Sequence, residues 1–393
     1  MPGFKPSYDT HFINRFEASM LIPKLEKQLE TDANNWRVMI NLGNSYYTMG
    51  NTEECIRLFK KAYDLAPNSA VVCSNLGVAL GDHVRFDEAF PYIEKSNKLD
   101  PNDQYAASVY AEFLLREGQW RMGWDLYERC RFSIPKCPLP RYVGGPLQGA
   151  RVLVLQEGGS GDQFMFFRFF ENLKALQPEK ITFACDHRLH CIFEDHPWVD
   201  ALLADHDTKI ELKDYDCHVS SFSLGAIFAP TLTDLKFRTP YLAGERTVPR
   251  IIGTPLKVGL CWKAGEAVET RLHRCLSKEN VKKLIENQNV RWFSLQYGEN
   301  APAGMETINL STWEHTAEAI DLLDLVISVD TGVMHLAGAI GKPVWTLLSN
   351  SCWRFLRHGE TCVWYPTMRL FRNNDKGYDS AVDRVVREME KLA

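Results

Sequence analysis

The chain has 393 residues, 45 basic side chains against 50 acidic ones, and a formal charge of -5. That length holds two or three domains, each able to bury a core. So small a net charge gives neither the basic field of a nucleic-acid binder nor a polybasic membrane patch, and no apolar run approaches the ~18 to 20 residues that cross a bilayer. The eleven cysteines are odd in number and scattered, which speaks against a disulfide framework and for reduced thiols. With no apolar signal core in Met1–Asn14, a soluble cytoplasmic protein is expected.

The first signal in chain order is a repeat with a period of 34. Leu42, Gly43, Tyr46, Cys55, Phe59, Ala62 and Pro67 recur as Leu76, Gly77, Leu80, Ala89, Ile93, Ser96 and Pro101. A weaker third copy reads Tyr110, Ala111, Leu114, Gly123, Tyr127, Cys130 and Pro135. Small residues at Gly43, Gly77 and Ala111 let two helices approach closely, and each proline stands where a second helix must stop. Stacked helical hairpins are predicted, with Glu17–Thr31 as an earlier partial repeat or a capping helix. The pattern resembles the tetratricopeptide repeat family over about 35–135. Such a solenoid is expected either to hold a protein or peptide partner, or a second copy, or only to brace the next domain.

Prolines and glycines from Pro135 to Gly149 end the helices and read as a linker over 136–150. Beyond it the periodicity changes to apolar strands alternating with helices. Arg151–Gln156 reads as a buried strand, Glu157–Asp162 as a glycine loop, and 163–176 as an aromatic helix. Strands at 180–185, 201–203 and 216–220 and a helix at 188–194 complete a first α/β domain, 151–250. A second, 251–393, is predicted from strands at 257–262, 291–295, 325–329 and a final one at 343–347, with helices at 278–287, 316–322 and 333–340. A C-terminal helix over 378–391 is expected to cross back onto the first sheet. Open α/β sheets bind ligands at the carboxyl ends of their strands, so two of them facing each other predict a two-substrate cleft.

The loop Asp330-Thr331-Gly332 follows a strand that is apolar but for Ser328 and opens the helix that carries His335. Free amides and the positive end of the helix dipole suit a diphosphate there, with Gly332 admitting close approach, the Thr331 hydroxyl available, and the His335 ring able to donate. The competing reading is that Asp330 or Thr331 caps the helix and His335 packs.

Residues 324–345, with Trp292–Gln296 upstream and Trp364–Phe371 downstream, resemble glycosyltransferase family 9, the heptosyltransferase-like group, in relatives that carry tetratricopeptide repeats at the N-terminus. That resemblance covers essentially the whole chain. It implies an α-helical tetratricopeptide solenoid followed by an α/β GT-B body, two Rossmann-like domains facing across a cleft. It further implies a metal-independent, inverting transfer from a nucleotide-sugar to a saccharide, protein or other acceptor, with no cofactor. The diphosphate would lie on 330–335, beside the basic residues Lys263, Arg271 and Arg274. Gln296 and Gly298 would meet the nucleoside. On the acceptor side Gly159, Gly161 and Gln163 form the loop in which Asp162 matches a proposed general base, unless Asp162 only caps its helix.

Other chemistries fit less well. Cys185, His187, His190 and Cys191 point in different directions for zinc, and Asp205-His-Asp207 and Asp214-Tyr-Asp216 lie far in sequence from the expected donor loop. Neither glycine loop gives G-x-G-x-x-G with an acidic residue some 20 positions on, and no G-x-S-x-G is present. The remaining rival is a non-catalytic adaptor with a degenerate GT-B body.

Overall fold

The computed structural model describes residues 14–82, 85–130, 137–204, 211–236, 239–242, 255–265, 274–287, 289–348, 352–373 and 378–392. It divides into two compact units, one of Met1–Phe132 with Cys352–Arg354, the other of Ser133–Ser351 with Phe355–Ala393.

In the first unit, α1 (Arg15–Thr31) precedes three helical hairpins: α2 (Trp36–Met49) with α3 (Thr52–Leu65), α4 (Ala70–Asp82) with α5 (Phe86–Leu99), and α6 (Gln104–Arg116) with α7 (Trp120–Cys130). Successive hairpins start 34 residues apart, as the repeat requires. The small residues do what their spacing implies. A Cβ added at Gly43 would lie 2.4 Å from the Phe59 ring, and one at Gly77 would lie 2.6 Å from Ile93, the equivalent residue one repeat on. The start of α1 is closed by a reciprocal cap, Asn14 taking the Glu17 amide and Glu17 the Asn14 amide.

The second unit holds two wholly parallel sheets. In the first, β1 (Arg151–Leu155), β2 (Lys180–Cys185), β3 (Ala201–Ala204) and β4 (Cys217–Ser220) lie in the order β3-β2-β1-β4. The expected helix after β1 begins three residues early as α8 (Ser160–Phe166), passes through a 3-10 turn, and resumes as α9 (Phe170–Ala175). Short α10 (His190–Phe193) follows β2 and α11 (Ser221–Phe228) follows β4. Phe164, Phe166, Phe167, Phe170, Phe183 and Phe193 are all fully buried and give this half its core.

The second sheet has β5 (Leu256–Cys261), β6 (Val290–Ser294), β7 (Met305–Thr307), β8 (Leu325–Val329), β9 (Val344–Leu348) and β10 (Met368–Arg372) in the order β10-β9-β8-β5-β6-β7. Its helices are α12 (Lys278–Ile285), α13 (Trp313–Asp321), α14 (Gly332–Ile340) and α15 (Asp379–Met389).

Three expectations need correction. First, 343–347 does not hold the last strand. β10 follows it and β7 lies on the opposite edge, so the sheet is a complete six-stranded doubly wound one. Second, part of the expected linker, 140–142, is built into the first sheet. Arg141 bridges His218 in parallel, the His218 amide donates to the Pro140 carbonyl (2.9 Å) and the Tyr142 amide to the His218 carbonyl (2.8 Å). Proline is tolerated there because the segment lies on an edge. Third, α15 packs on its own sheet, against α12, β9 and β10. Its stripe of Ala381, Val382, Val385 and Met389 is buried with Leu256, Val258 and Leu284.

Candidate functional site

In a doubly wound sheet the loops that flank the reversal of strand order form a crevice. In the second sheet the reversal falls between β5 and β8. The loops after these two strands carry Lys263 and Asp330–Gly332. In the first sheet it falls between β1 and β4, and the loop after β1 is Gln156–Gly159. The two sets of loops meet within the unit. A Cβ on Gly161 would lie 3.2 Å from Cα of Gly332 and 2.8 Å from Cδ2 of His335. The aromatic faces behind them also join, with the Phe164 ring edge-on to Trp313 at 5.0 Å and Phe166 against Trp364 at 5.7 Å.

On the side of the second sheet, the Asp330 carbonyl accepts both Nε (3.0 Å) and Nη2 of Arg274, whose guanidinium also lies 3.4 Å from the Asp330 carboxylate. Arg274 reaches this point on a two-stranded ribbon, where the Leu276 amide donates to the Trp262 carbonyl (2.8 Å) and the Ala264 amide to the Arg274 carbonyl (3.2 Å). Thr331 is the N-cap of α14, yet its side chain makes no capping bond. Its hydroxyl turns inward to Ser328 Oγ (2.9 Å) and Cys261 Sγ (3.8 Å), so it is buried rather than offered to a ligand. The first amides of α14 therefore lack the side-chain cap that the bland reading of this loop required. Burial pushes the Cys261 thiol up, which keeps it an inert neighbour.

Gln296, expected at the nucleoside, spends its side-chain oxygen on the backbone amides of Trp262 (3.2 Å) and Lys263 (2.9 Å) and so staples the loop after β5 to the end of β6. Lys263 is ion-paired with Glu299. Arg271 lies outside the described residues. Gly298 has φ +75, a turn conformation, and Tyr297 before it is 73% exposed.

On the side of the first sheet, Asp162 sits in the first turn of α8 and its Oδ2 accepts the Gly159 amide (2.9 Å), so it does cap its own loop. Gln163 is buried and donates from Nε2 to the Glu157 carbonyl (2.5 Å), with the Gly159 carbonyl at 3.4 Å. The Glu157 amide donates to Ser221 Oγ (3.1 Å), tying the loop after β1 to the start of α11. His335 is buried, with Nδ1 3.0 Å from the Tyr365 hydroxyl and Nε2 3.9 Å from the Asp330 carboxylate.

Sequence reasoning passed over Arg168, Tyr241 and Tyr365, of which Tyr365 meets this histidine and the other two lie behind Tyr365. The Arg168 guanidinium, almost fully buried, lies 4.9 Å from the Tyr241 ring and 5.1 Å from that of Tyr365, and donates to the Tyr241 hydroxyl (3.1 Å). The one signal in the sequence was an arginine inside an otherwise apolar aromatic run, 164–170. Asp216 binds Arg151 through both its guanidinium and its amide, and 205–207 lies outside the described residues. Among the described residues no three His, Cys, Asp or Glu side chains gather as a metal site.

Residues 306–376 match the family model of glycosyltransferase family 9 (heptosyltransferase), and residues 36–69 match that of the tetratricopeptide repeat. Protein FlbA of Caulobacter vibrioides is 25% identical over 402 residues, which take in 90% of this chain and 66% of FlbA. The chain thus spans just under two thirds of the length of that curated relative. Among solved structures, a glycosyl transferase family 9 protein from Veillonella parvula is 15% identical with a TM-score of 0.44, over 63% of this chain and 98% of that one. A Thermobaculum terrenum O-GlcNAc transferase mutant is 12% identical with a TM-score of 0.37, over 96% of this chain and 88% of that one.

Proposed function

For a chain that carries a tetratricopeptide repeat and a glycosyltransferase family 9 domain, we propose a metal-independent, inverting glycosyltransferase of GT-B type. It moves a sugar from a nucleotide-sugar to a saccharide, protein or other acceptor. The observation that carries this reading is the meeting of the two switch-point loops, with Gly161 of one sheet against Gly332 and His335 of the other. One loop set takes the donor and the other the acceptor.

The diphosphate lies on the first amides of α14, whose N-cap side chain leaves them uncapped. As the glycosidic bond breaks, negative charge grows on the leaving diphosphate. Arg274, held over the Asp330 carbonyl, and Lys263 supply the positive charge it needs. The exposed Tyr297 ring, next to Gln296 and the Lys263–Glu299 pair, offers a face for the nucleobase. Asp162 takes the acceptor proton; its capping bond to Gly159 holds the carboxylate in place for that task. No cofactor takes part. The helical repeats hold a protein partner or a second copy, and the eleven free thiols suit a reducing cytoplasm.

Calorimetry with a panel of nucleoside diphosphates and their sugars tests the reading. A retained nucleotide that Arg274→Met weakens is the expected result; a panel with no binder refutes the donor site and leaves the adaptor.

A further inference from the structure

Arg168 is a cation in surroundings where cations are rare unless paired. It is 7% exposed, yet among the described residues no carboxylate forms an ion pair with it. We propose that Arg168 and the cavity it lines are a binding site for a small organic monocarboxylate with a flat apolar body, separate from the loops that meet at Gly161 and Gly332.

The hydrogen bonds of the guanidinium show what it lacks. The group carries five N–H bonds in one plane. Nε donates to the Met165 carbonyl (3.0 Å) and Nη2 donates to the Tyr241 hydroxyl (3.1 Å). Nη1 donates to nothing among the described residues. Around the guanidinium carbon stand the rings of Tyr241 (4.9 Å), Tyr365 (5.1 Å) and Trp364 (5.6 Å). Such rings offset part of the cost of burying a charge, but they bring no counter-charge and leave the N–H groups unspent. The remaining donors are those of Nη1 and the second one of Nη2, side by side in the plane. A carboxylate meets that edge with two parallel bonds.

The cavity supplies the room. It has a volume of about 450 Å³, inside the ~300 to 1,000 Å³ range of small-molecule sites. Trp198, Phe228 and Tyr241 give its wall three rings for an apolar body. Its charged lining is Arg168 and Lys236 against Glu171 and Asp234, of which Asp234 is turned to Thr231 and accepts that residue's amide (2.9 Å) and hydroxyl (2.5 Å). Two acids in the wall oppose a doubly charged phosphate, whereas one carboxylate supplies the single counter-charge that Arg168 lacks. The lining is drawn from Arg168 and Phe169, α9, Trp198, the end of α11 and 233–241. None of it belongs to the loops that carry Asp162, Lys263 or Asp330.

The test uses the full chain with benzoate as the probe. Benzamide is its neutral match, and inorganic phosphate is an anion without the apolar body. Binding is followed through the indole N–H signal of Trp198 in proton–nitrogen NMR, identified with Trp198→Phe. Benzoate should shift that signal saturably, and benzamide and phosphate should bind about 10-fold more weakly or worse. Arg168→Met should weaken benzoate by about 10-fold or more, the worth of hydrogen bonds to a charged group. Ala175→Trp places a bulky ring at an exposed point of the cavity lining and should block benzoate with Arg168 intact. Should Arg168→Met not fold, that second variant decides. The absence of a saturable shift overturns the proposal, as does benzamide or phosphate binding as tightly as benzoate, or a benzoate affinity that the variants leave unchanged. A nucleotide panel without a binder leaves this site standing, because no part of it takes a nucleotide.

Discussion

Gly161→Ala is the sharpest probe of the contact between the two sets of loops. The added methyl would sit 2.8 Å from Cδ2 of His335 and 3.2 Å from Cα of Gly332, against the ~3.5 to 4.0 Å of a relaxed carbon contact. Neither neighbour is the loose end of a flexible side chain. One is backbone, and the other is a ring held by Tyr365 and stacked under Phe355. The strain can be relieved only by moving α8 away from α14 by several tenths of an ångström. Overpacking of this kind costs about 1 to 3 kcal/mol, which for a unit of a few hundred residues lowers Tm by about 2 to 12 °C. Gly265→Ala is the matched control, since a Cβ there meets nothing within 4 Å. Differential scanning calorimetry of the full chain reads the loss of stability, and titration with the nucleotide found in the panel reads the separation of the loops. If Gly161→Ala matches Gly265→Ala in both, the loops do not touch as described and the two-substrate cleft loses its basis.

Asp162→Asn keeps an oxygen to cap Gly159 but removes the base, so transfer should fall by about 10²- to 10⁴-fold while nucleotide affinity holds; an unchanged rate in a transfer assay would free Asp162 of that role. Tyr297→Ala should weaken nucleotide binding by about 1 to 3 kcal/mol in calorimetry if its ring stacks on a base, and an unaltered isotherm would move the base elsewhere. Stability should decline in mild acid. Burial holds the His196 and His218 imidazoles below their ordinary value of 6.5. Above that pH both the folded and the unfolded chain keep them neutral. As the pH falls through 6.5 the unfolded chain takes up protons that the folded chain cannot, and stability drops until the depressed folded values are reached. Tm measured against pH should show that decline, and His196→Gln should flatten it; a profile identical to wild type would remove His196 as a contributor.

Much of the fold was legible because its signals are local. The period of 34 and the buried, mostly apolar strands 152–154 and 325–329 need only neighbours in sequence. The edge strands of the second sheet were not. Met305–Thr307 has one apolar residue in three, and Met368–Arg372 follows a proline-containing turn, so neither has the hydrophobic run that marks a central strand. Pro140-Arg141-Tyr142 read as punctuation because nothing in its own sequence names His218, 77 residues away, as its partner. The site divides in the same way. Capping by Asp162, three residues from Gly159, was foreseen as an alternative. The inward turn of Thr331 to Cys261 and the use of Gln296 on Trp262 depend on partners 70 and 34 residues distant. Tyr365 stood inside the stretch that carried the family likeness, but its bond to His335 spans 30 residues and leaves no pattern to read.

The short ladder that 140–142 adds beside β4 bears on how the protein can be cut. A chain shortened to start at Arg151 would strip that cover and leave β4 with a bare row of amides and carbonyls. Bare strand margins recruit other chains, so such a fragment should clump, whereas one that begins ahead of Leu139 keeps its own selvedge and stays dispersed.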